Sequence, residues 1–504
     1  MVARVHTVAF HGIDIKDIDV QVQITSGMPA FSIVGLADKA VAESRERVRS
    51  ALHALGISLP ASRIIINLAP ANVLKEGSHF DLPIALGLLS VLGIIPNDTL
   101  DEYVVAGELA LDGSLSKING ILPTAIHAQS HHKGIICPKE NGPEAMWANE
   151  DIDVLAPHDL LELINHFKGN QSMAMPEKIS EIDEEYPLDL GDVKGQEVAR
   201  RALEIVAAGG HNMLMVGPPG SGKSMLASRL PGILPPLTSR ESLETSMIHS
   251  MAGMLEGGKV LRNRPYRDPH HSASLPSLIG GGMKAKPGEV SIAHNGVLFL
   301  DELPEFSRQT LETMRQPLEN KKAVIARANA HLSYPADFQL VAAMNPCPCG
   351  HYGDKRHECS RAPKCAAEYQ NKISGPLYDR IDVHVDMPAV KITDLARMQG
   401  GEDSKTVRAR VIKARNVQAD RYKALGLGIR TNSLLQGNLL EEVCQSTEEA
   451  RDLLNNTADE LGLSARAYYR ILKVSRTIAD MEGAEIISKT HLAEALSFRR
   501  HRPK

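Results

Sequence analysis

The sequence predicts an α/β protein with a parallel sheet in its central part, and three observations support this. Between about 191 and 390 the chain alternates helical stretches with short apolar runs, NMLMV, GVLFLDE and FQLVAAMN, which are typical of buried parallel strands. The first run leads directly into a glycine-rich loop, GPPGSGKS. The end of the chain has few strand signals and strong 3.6-residue periodicity, as in ARAYYRILKVSRTIADM, which predicts helices.

A chain of 504 residues is long enough for about three folded domains. Residues 1–168 mix alternating β-like segments with helical stretches, which predicts an α+β domain. Residues 169–190 are polar and acidic without apolar periodicity, which is typical of a linker. The α/β core is predicted over 191–390 and a C-terminal helical domain over 391–504.

Composition limits the possible partners. The formal net charge is −5, so a nucleic-acid contact must depend on a local group of cations rather than on a basic excess. The N-terminal segment lacks the apolar core of a signal peptide, and the apolar run over 82–96 is too short to span a bilayer. Six cysteines do not resemble a secreted disulfide framework. We therefore expect a cytoplasmic protein without a membrane partner.

The glycine-rich loop matches the Gly-x4-Gly-Lys-Ser motif, between a strand and a helix as the motif requires. Its glycines let backbone amides face phosphates, Lys223 would place a charge on the β and γ oxygens, and Ser224 would bind Mg²⁺. A chance glycine-rich turn is the alternative, which the strand–loop–helix context disfavours. The predicted nucleotide-binding residues are Gly217, Pro218, Pro219, Gly220, Ser221, Gly222, Lys223, Ser224 and Met225.

Two further apolar strands end in polar residues that suit nucleotide hydrolysis. Asp301 follows GVLFL and would hold Mg²⁺ together with Ser224, while Glu302 would polarise the attacking water. A strand that ends in ordinary surface acids is the alternative. Asn345 follows the next strand, at the position where ATPases with an additional strand place a sensor of the γ-phosphate. Together these residues predict ATP hydrolysis.

Two arginines are candidates for contacts to the phosphates. Arg380 precedes an apolar strand and is predicted to act on the nucleotide of a neighbouring subunit; the alternative is a structural ion pair with Asp379 or Asp382. Arg466 begins a helix of the C-terminal domain and is predicted to close on the phosphates, with Arg470 as the second candidate.

Over essentially its whole length the chain resembles the AAA+ ATPases of the magnesium-chelatase-like branch. The segments that carry the resemblance are RPYRDPHHSASLPSLIGGGMKAKPGEVSIAHNGVLFLDELPEF (264–306), MNPCPCG (344–350) and ISGPLYDRID (373–382). The resemblance implies a ring-shaped ATPase that uses ATP and Mg²⁺. Within the family, the sequence is most similar to hexameric helicases that drive branch migration of DNA during natural transformation. The resemblance also implies recombination intermediates as substrates, and recombinases or DNA-processing proteins as possible partners.

Three other functions fit the same motifs. The chain could be the motor subunit of a metal chelatase, a protein-remodelling ATPase, or a nucleotide-gated scaffold without enzymatic activity. Glu302 argues against the scaffold, because a hydrolytic glutamate has no use there.

Two cationic segments of the core are candidates for DNA contact. The region around 250–290 resembles the helix-2 insertion of the family, and 319–338 alternates like a hairpin and resembles its presensor hairpin. A hexamer would gather their charges into a collar that tracks phosphates, since aromatic residues for base stacking are nearly absent. The alternative is a set of solvated loop lysines. The residues concerned are Lys284, Lys286, Lys321, Lys322 and Arg327.

Four cysteines lie in one loop after Asn345, where four thiolates would suit tetrahedral Zn²⁺. Their irregular spacing differs from common zinc sites, and a histidine in the loop could replace one of them. Reduced loop thiols are the alternative. The candidate ligands are Cys347, Cys349, Cys359 and Cys365, with His351 and His357 as possible substitutes.

The first domain resembles the Lon-type protease domain, an S5 domain 2-like α+β fold, in LKEGSHFDLPIALGLL and DGSLSKINGILPTAIHAQSHHKGIICPKEN. Lon-type enzymes use a serine–lysine pair. The resemblance places His79 at the nucleophile position and Leu122 at the lysine position, with Ser78 and Lys117 nearby. We therefore expect a catalytically inactive domain that serves ring assembly or DNA handling.

Overall fold

A computed structural model describes residues 2–96, 98–179, 186–282, 286–327, 330–352, 361–389 and 400–499, without the side chains of 326, 327, 330 and 331. It confirms the α/β prediction, because a mixed seven-stranded sheet near the N-terminus is followed by a parallel five-stranded sheet. Lon-like ancestry of the first domain remains a prediction, as do the domain boundaries.

The N-terminal sheet has the strand order β3-β4-β2-β1-β5-β8-β9. Its strands are β1 (Val2–His11), β2 (Asp14–Thr25), β3 (Ala30–Val34), β4 (Arg63–Ala69), β5 (Tyr103–Val105), β8 (Gly134–Ile136) and β9 (Val154–Leu155). Strands β6 (Glu108–Leu109) and β7 (Leu115–Ser116) pair with each other in a separate two-stranded sheet. β1 and β2 pair antiparallel along their whole length, so the alternating pattern of β2 sends Ile18, Val20 and Val22 to one buried face.

In the described part of this region, five helices accompany the sheet. They are α1 (Lys39–Ala54), α2 (Asp81–Val91), α3 (Ile121–Ser130), α4 (Gly142–Ala145) and α5 (Leu160–Phe167). Most of the apolar run over 82–96 lies in α2, which is apolar on all sides and buried against β1 and β2. The run is therefore a core helix, as predicted.

The central sheet has the order β11-β14-β17-β10-β18, and all of its pairings are parallel. Its strands are β10 (Met213–Val216), β11 (Tyr266–Arg267), β14 (Val297–Leu300), β17 (Gln339–Met344) and β18 (Val383–Asp386). β10, β14 and β17 are buried along their full length, which explains their unbroken apolar sequence. Because the strands are parallel, the residues that follow them meet at one edge of the sheet.

Ten short helices and two small hairpins surround this sheet. The helices are α6 (Glu197–Gly209), α7 (Lys223–Ala227), α8 (Leu230–Ile233), α9 (Ser239–Ala252), α10 (Leu275–Ile279), α11 (Glu289–Ile292), α12 (Arg308–Thr313), α13 (Arg315–Asn320), α14 (Lys364–Gln370) and α15 (Gly375–Tyr378), all within the described residues. The hairpins are β12 (Gly280–Gly281) with β13 (Lys286–Pro287), and β15 (Lys322–Arg327) with β16 (Ala330–Pro335). The second hairpin lies where the alternation over 319–338 predicts one.

The described part of the C-terminal region is helical. Its helices are α16 (Ser404–Ala424), α17 (Leu439–Val443), α18 (Glu448–Leu461), α19 (Ala465–Glu482) and α20 (Lys489–Ser497). α16 and α19 pack against α6, so Val411 and Ile478 share one buried cluster with Met213 and Leu226 of the central sheet and its first helix. Short 3-10 helices occur at Asp98–Glu102, Lys139–Asn141, Leu190–Asp192, Glu256–Gly258, Leu303–Glu305 and Asn432–Leu434.

The N-terminal sheet domain contacts the second hairpin and helix α9 of the core. Ile325 and Leu332 of the hairpin pack in a cluster with Ile13 of the β1–β2 turn. The amide of Gly120, before α3, donates to the carbonyl oxygen of Ser250 in α9 at 3.1 Å. Within the described residues, none of the helices combines the length and the apolar character that crossing a membrane requires.

Candidate active site

The glycine-rich loop connects β10 to α7 at the carboxyl edge of the central sheet, so residues 217–225 lie together there. Gly220 and Gly222 have φ of +75° and +90°, and a Cβ atom at either residue would meet open space. Backbone conformation, rather than packing, therefore requires glycine at both, and the open side of the loop can admit phosphate. Gly217 is different, because a Cβ there would lie 2.2 Å from the carbonyl oxygen of Met387.

The side chain of Lys223 lies over this loop. Its Nζ donates to the carbonyl oxygens of Gly217 at 2.8 Å and Pro218 at 2.9 Å, and to Oδ1 of Asn345 at 3.2 Å. Burial lowers the pKa of the Lys223 ammonium, while the charges of neighbouring acids oppose that shift. The structure thus brings the predicted phosphate-binding lysine and the predicted sensor asparagine into direct contact.

Ser224 and Asp301 are also brought together. The Ser224 hydroxyl donates to Oδ2 of Asp301 at 2.7 Å, and Oδ1 of Asp301 accepts from the amide of Glu302 at 2.8 Å. A hydroxyl and a carboxylate in contact are the kind of oxygen ligands that Mg²⁺ takes beside substrate phosphates. The residues present therefore fit the expected magnesium shell.

Glu302 does not point freely toward the loop. It has a φ of +50°, and its Oε2 lies 3.2 Å from Nδ1 of His271, whose ring is tilted against that of His270 with centroids 4.1 Å apart. Burial and the charge of Asp301 both raise the pKa of the Asp268 carboxyl. Sequence reasoning missed His271; the histidine pair in RDPHHSAS was the available signal.

The alternative prediction for Arg380, an ion pair with Asp379 or Asp382, is wrong. Arg380 is buried and forms its ion pair with Glu319, at the end of α13, rather than with Asp379 or Asp382. Asp382 instead pairs with Arg470 of α19. Arg380 therefore has a partner within its own chain, and a role toward a neighbouring subunit remains a prediction.

The two C-terminal arginines differ in their surroundings. Arg466 is exposed in the first turn of α19 and makes no hydrogen bond or ion pair with any residue that the structure describes. Arg470 is engaged by Asp382, so it connects α19 to the residue before β18. Arg466 therefore remains the better candidate for a phosphate contact, and that role stays a prediction.

The predicted DNA-binding cations are only partly gathered in one place. Lys321 pairs with Asp337 at 3.0 Å, which neutralises its charge. Lys322 and Lys286 are exposed, and neither has a hydrogen-bond or ion-pair partner in the described part of the chain. Lys284 lies outside the described residues, as does the side chain of Arg327.

The cysteine loop packs against the nucleotide loop. The Sγ atoms of Cys347 and Cys349 lie 3.2 Å apart, and burial, with the neighbouring thiol, raises the pKa of Cys347. Cys365 belongs to the same buried cluster as Cys347, whereas Cys359 and His357 lie outside the described residues. A Cβ at Gly350 would lie 2.5 Å from Cδ of Pro219, so the two loops touch. Zinc at this loop remains a prediction.

The polar residues of the protease-like region are engaged by groups other than one another. His79 is buried, its Nε2 lies 2.9 Å from the carbonyl oxygen of Val8, and burial lowers its pKa. Ser78, His79 and Lys117 line one cavity of about 310 Å³. Ser78 contacts Glu108, and Lys117 donates to a carbonyl oxygen of the core at 3.3 Å. Catalytic inactivity of this domain stays a prediction.

Parallel strands that end in a phosphate-binding loop, an Asp-Glu pair and a sensor asparagine define a P-loop ATPase of the AAA+ class. Three family models match consecutive parts of the chain: Magnesium chelatase, subunit ChlI, over 189–395; Subunit ChlI of Mg-chelatase over 20–141; and Magnesium chelatase, subunit ChlI C-terminal, over 401–499.

Relatives of known sequence agree with these matches. The chain is 43% identical to the uncharacterized protein YifB of Escherichia coli K12 over 98% of this chain and 96% of that protein. It is 42% identical to the competence protein ComM of Haemophilus influenzae over 99% and 97% of the two chains. A magnesium-chelatase 67 kDa subunit of Chlorobaculum parvum is 27% identical, over 31% of this chain and 23% of the subunit. The protein belongs to the magnesium-chelatase-like AAA+ family that includes ComM and YifB, and this family implies ATPase activity with ATP and Mg²⁺.

Proposed function

We propose that this protein is a ring-shaped, ATP-driven DNA motor that moves branch points in recombination intermediates, in the context of natural transformation. The observation that carries the proposal is the convergence of Lys223, Ser224, Asp301, Glu302 and Asn345 in a chain similar to a competence protein over 99% of its length. ATP hydrolysis at this site would supply the energy, and the name of the relative, a competence protein, indicates natural transformation as the process.

We assign each residue of the site a role in ATP hydrolysis. Lys223 and the amides of the loop would hold the β- and γ-phosphates, and Ser224 with Asp301 would hold Mg²⁺, which neutralises charge on the phosphates when bound. Asn345 contacts Lys223 and would orient the γ-phosphate. Glu302 would accept a proton from the attacking water once it leaves His271.

A hexameric ring would complete each site with an arginine from the next subunit. Arg380 is buried, and its guanidinium is already compensated by Glu319, which is half exposed. An arginine held ready by an exchangeable carboxylate can turn to a phosphate when a neighbour brings one. In the same ring, Arg466 would act from the subunit's own C-terminal domain.

The second hairpin, β15–β16, is the element that we propose to contact DNA. Its middle, where Ile325 pairs with Leu332, packs against Ile13, while Lys322 is exposed at its base, where it pairs with Pro335. Lys286 lies beside it on β13. Repeated around a ring, such cations would bind the phosphate backbone, and most of the affinity would depend on salt.

A test of this function measures ATP hydrolysis with and without branched DNA. We expect DNA to stimulate the wild type, and Lys322→Glu to lose much of that stimulation while its rate without DNA is unchanged. The control is Lys413→Glu, which makes the same charge change on the exposed surface of α16. Equal stimulation of the wild type and both variants would contradict the DNA contact.

The two alternative motors predict different stimulants in the same assay. A chelatase motor would respond to a metal-free tetrapyrrole with its partner subunits, and a protein remodeller would respond to an unfolded protein. The similarity to the chelatase 67 kDa subunit covers only 31% of this chain, so we favour DNA. Stimulation by either of these substrates, without any by DNA, would replace the proposed function.

A further inference from the structure

Three side chains on the N-terminal domain, far along the chain from the nucleotide site, lie close enough to share one ion. One ligand atom each of Asp17, His127 and His131 lies within 4.8 Å of the others. Oδ1 of Asp17 is 2.6 Å from Nε2 of His127, and the rings of the two histidines have centroids 4.4 Å apart.

The local structure explains this meeting. His127 and His131 are four residues apart in α3 and its C-cap, so they lie on one face of the helix. Asp17 of β2 is paired with Val8 of β1, and Val8 is buried against Ala128 of α3. Directly opposed residues point to the same face of a sheet, so the carboxylate faces the helix that carries the histidines.

The donor set has the chemistry of a transition-metal site. Imidazole nitrogens suit Zn²⁺, Cu²⁺ and Ni²⁺, and two histidines with one carboxylate form a common set of three protein ligands. Nδ1 of His131 lies 3.0 Å from the carbonyl oxygen of His127, which orients the ring and leaves Nε2 as the free nitrogen. Such a bond from the second ring nitrogen is typical of metal-binding histidines.

We propose that Asp17, His127 and His131 form a binding site for a divalent transition-metal ion, of which Zn²⁺ is the expected one. Three protein ligands leave a coordination position to water or to a group from another molecule. The ion would fasten α3 to the N-terminal sheet. Because the loop before α3 contacts Ser250 of α9, the site would stiffen the support of the ATPase core.

The experiment uses the full-length protein without an affinity tag, stripped of metal with a chelator and titrated with Zn²⁺. His131→Ala is the sharpest variant, because it removes a ligand and leaves the Asp17–His127 contact intact. We expect it to lose one equivalent of bound Zn²⁺, or to bind that equivalent at least about tenfold more weakly. His53→Ala, an exposed histidine of α1, is the matched control and should bind as the wild type does.

Two further measurements separate this site from the cysteine loop and from a folding defect. Co²⁺ at a site of two imidazoles and one carboxylate lacks the thiolate charge-transfer band that cysteine ligands give. Asp17→Asn should reproduce the loss without removing a buried group, since Asp17 is exposed. Equal Zn²⁺ binding by the wild type, His131→Ala and Asp17→Asn, or a wild type that binds Zn²⁺ only through thiolates, would overturn the proposal.

Discussion

Nδ1 of His271 lies 3.2 Å from Oε2 of Glu302, so a residue of the insertion holds the carboxylate that we expect to activate water. His271 follows β11, and the ring of His270 lies tilted against it with the centroids 4.1 Å apart. The position of the insertion and the readiness of the hydrolytic glutamate are therefore physically linked. A substrate that displaces the insertion would also release Glu302.

Replacing His271 with alanine should raise the basal rate of ATP hydrolysis. The lost contact is worth about 0.5–1.5 kcal/mol, so the free population of the Glu302 carboxylate should increase by about 2- to 12-fold. Phosphate release at saturating ATP, without DNA, measures this. In a Glu302→Gln background the same substitution should have no effect. A slower or unchanged rate in the single variant would contradict the link.

Replacing Glu302 with glutamine should abolish hydrolysis and preserve nucleotide binding. The amide keeps the shape of the side chain but cannot accept the proton of water, which removes roughly 10²- to 10⁴-fold of rate. Binding of a fluorescent ATP analogue and phosphate release together give the two quantities. If binding falls in parallel with the rate, Glu302 acts in holding the nucleotide instead.

Replacing Arg380 with alanine should lower hydrolysis by about 10³-fold if it completes a neighbour's site. Mixing the Arg380→Ala and Lys223→Ala variants tests whether the arginine acts between subunits. In a mixed ring, an Arg380→Ala subunit beside a Lys223→Ala subunit can form an interface with both functional residues intact. We therefore expect mixed samples to recover part of the activity that neither variant has alone. Glu319→Gln should stay active, because it loses only the intramolecular partner. Mixtures as inactive as their components would contradict action between subunits.

Replacing Asp382 with asparagine should destabilise the protein by about 3–5 kcal/mol, because it leaves Arg470 without its partner. Burial alone would raise the pKa of Asp382, but Arg470, His211 and the amide of Asn212 outweigh it and hold that pKa well below its usual range. Asp382 therefore stabilises the fold fully above about pH 3.9, and this contribution is lost as the pH falls toward the lower folded pKa.

Urea unfolding at pH 7 and near pH 3.5 measures this contribution. The difference in stability between the wild type and Asp382→Asn should be largest at pH 7 and should shrink below about pH 3.9. Asp420→Asn, a change at an exposed residue of α16, should alter stability by less than about 0.5 kcal/mol. A difference that is the same at both pH values would show that the carboxylate charge is not the cause.

Much of the fold and of the nucleotide site was predictable because both depend on local patterns. Unbroken apolar runs marked β10, β14 and β17, and parallel order then placed the residues after them at one edge. The contact of Lys223 with Asn345 follows from that order alone. The hairpin was visible for the same reason, because alternation is a local signal.

The unpredicted features depend on contacts between segments distant in the sequence. His271 meets Glu302 only because the insertion folds back over the carboxyl edge of the sheet. Arg380 finds Glu319, 61 residues earlier, rather than its sequence neighbours. Asp17 and His127 are 110 residues apart, and no periodic pattern relates a strand residue to a helix packed on its face.

Coupling of ATP hydrolysis at this site to movement of branched DNA can be measured in a single assay. A synthetic four-way junction with homologous arms is incubated with ATP and Mg²⁺, and the products of branch migration are separated by native electrophoresis. We expect the wild type and the Lys413→Ala control to convert the junction to its branch-migration products with ATP, and Lys223→Ala to bind the junction without moving the branch point. A wild type that hydrolyses ATP yet leaves the junction in place would contradict the proposed function.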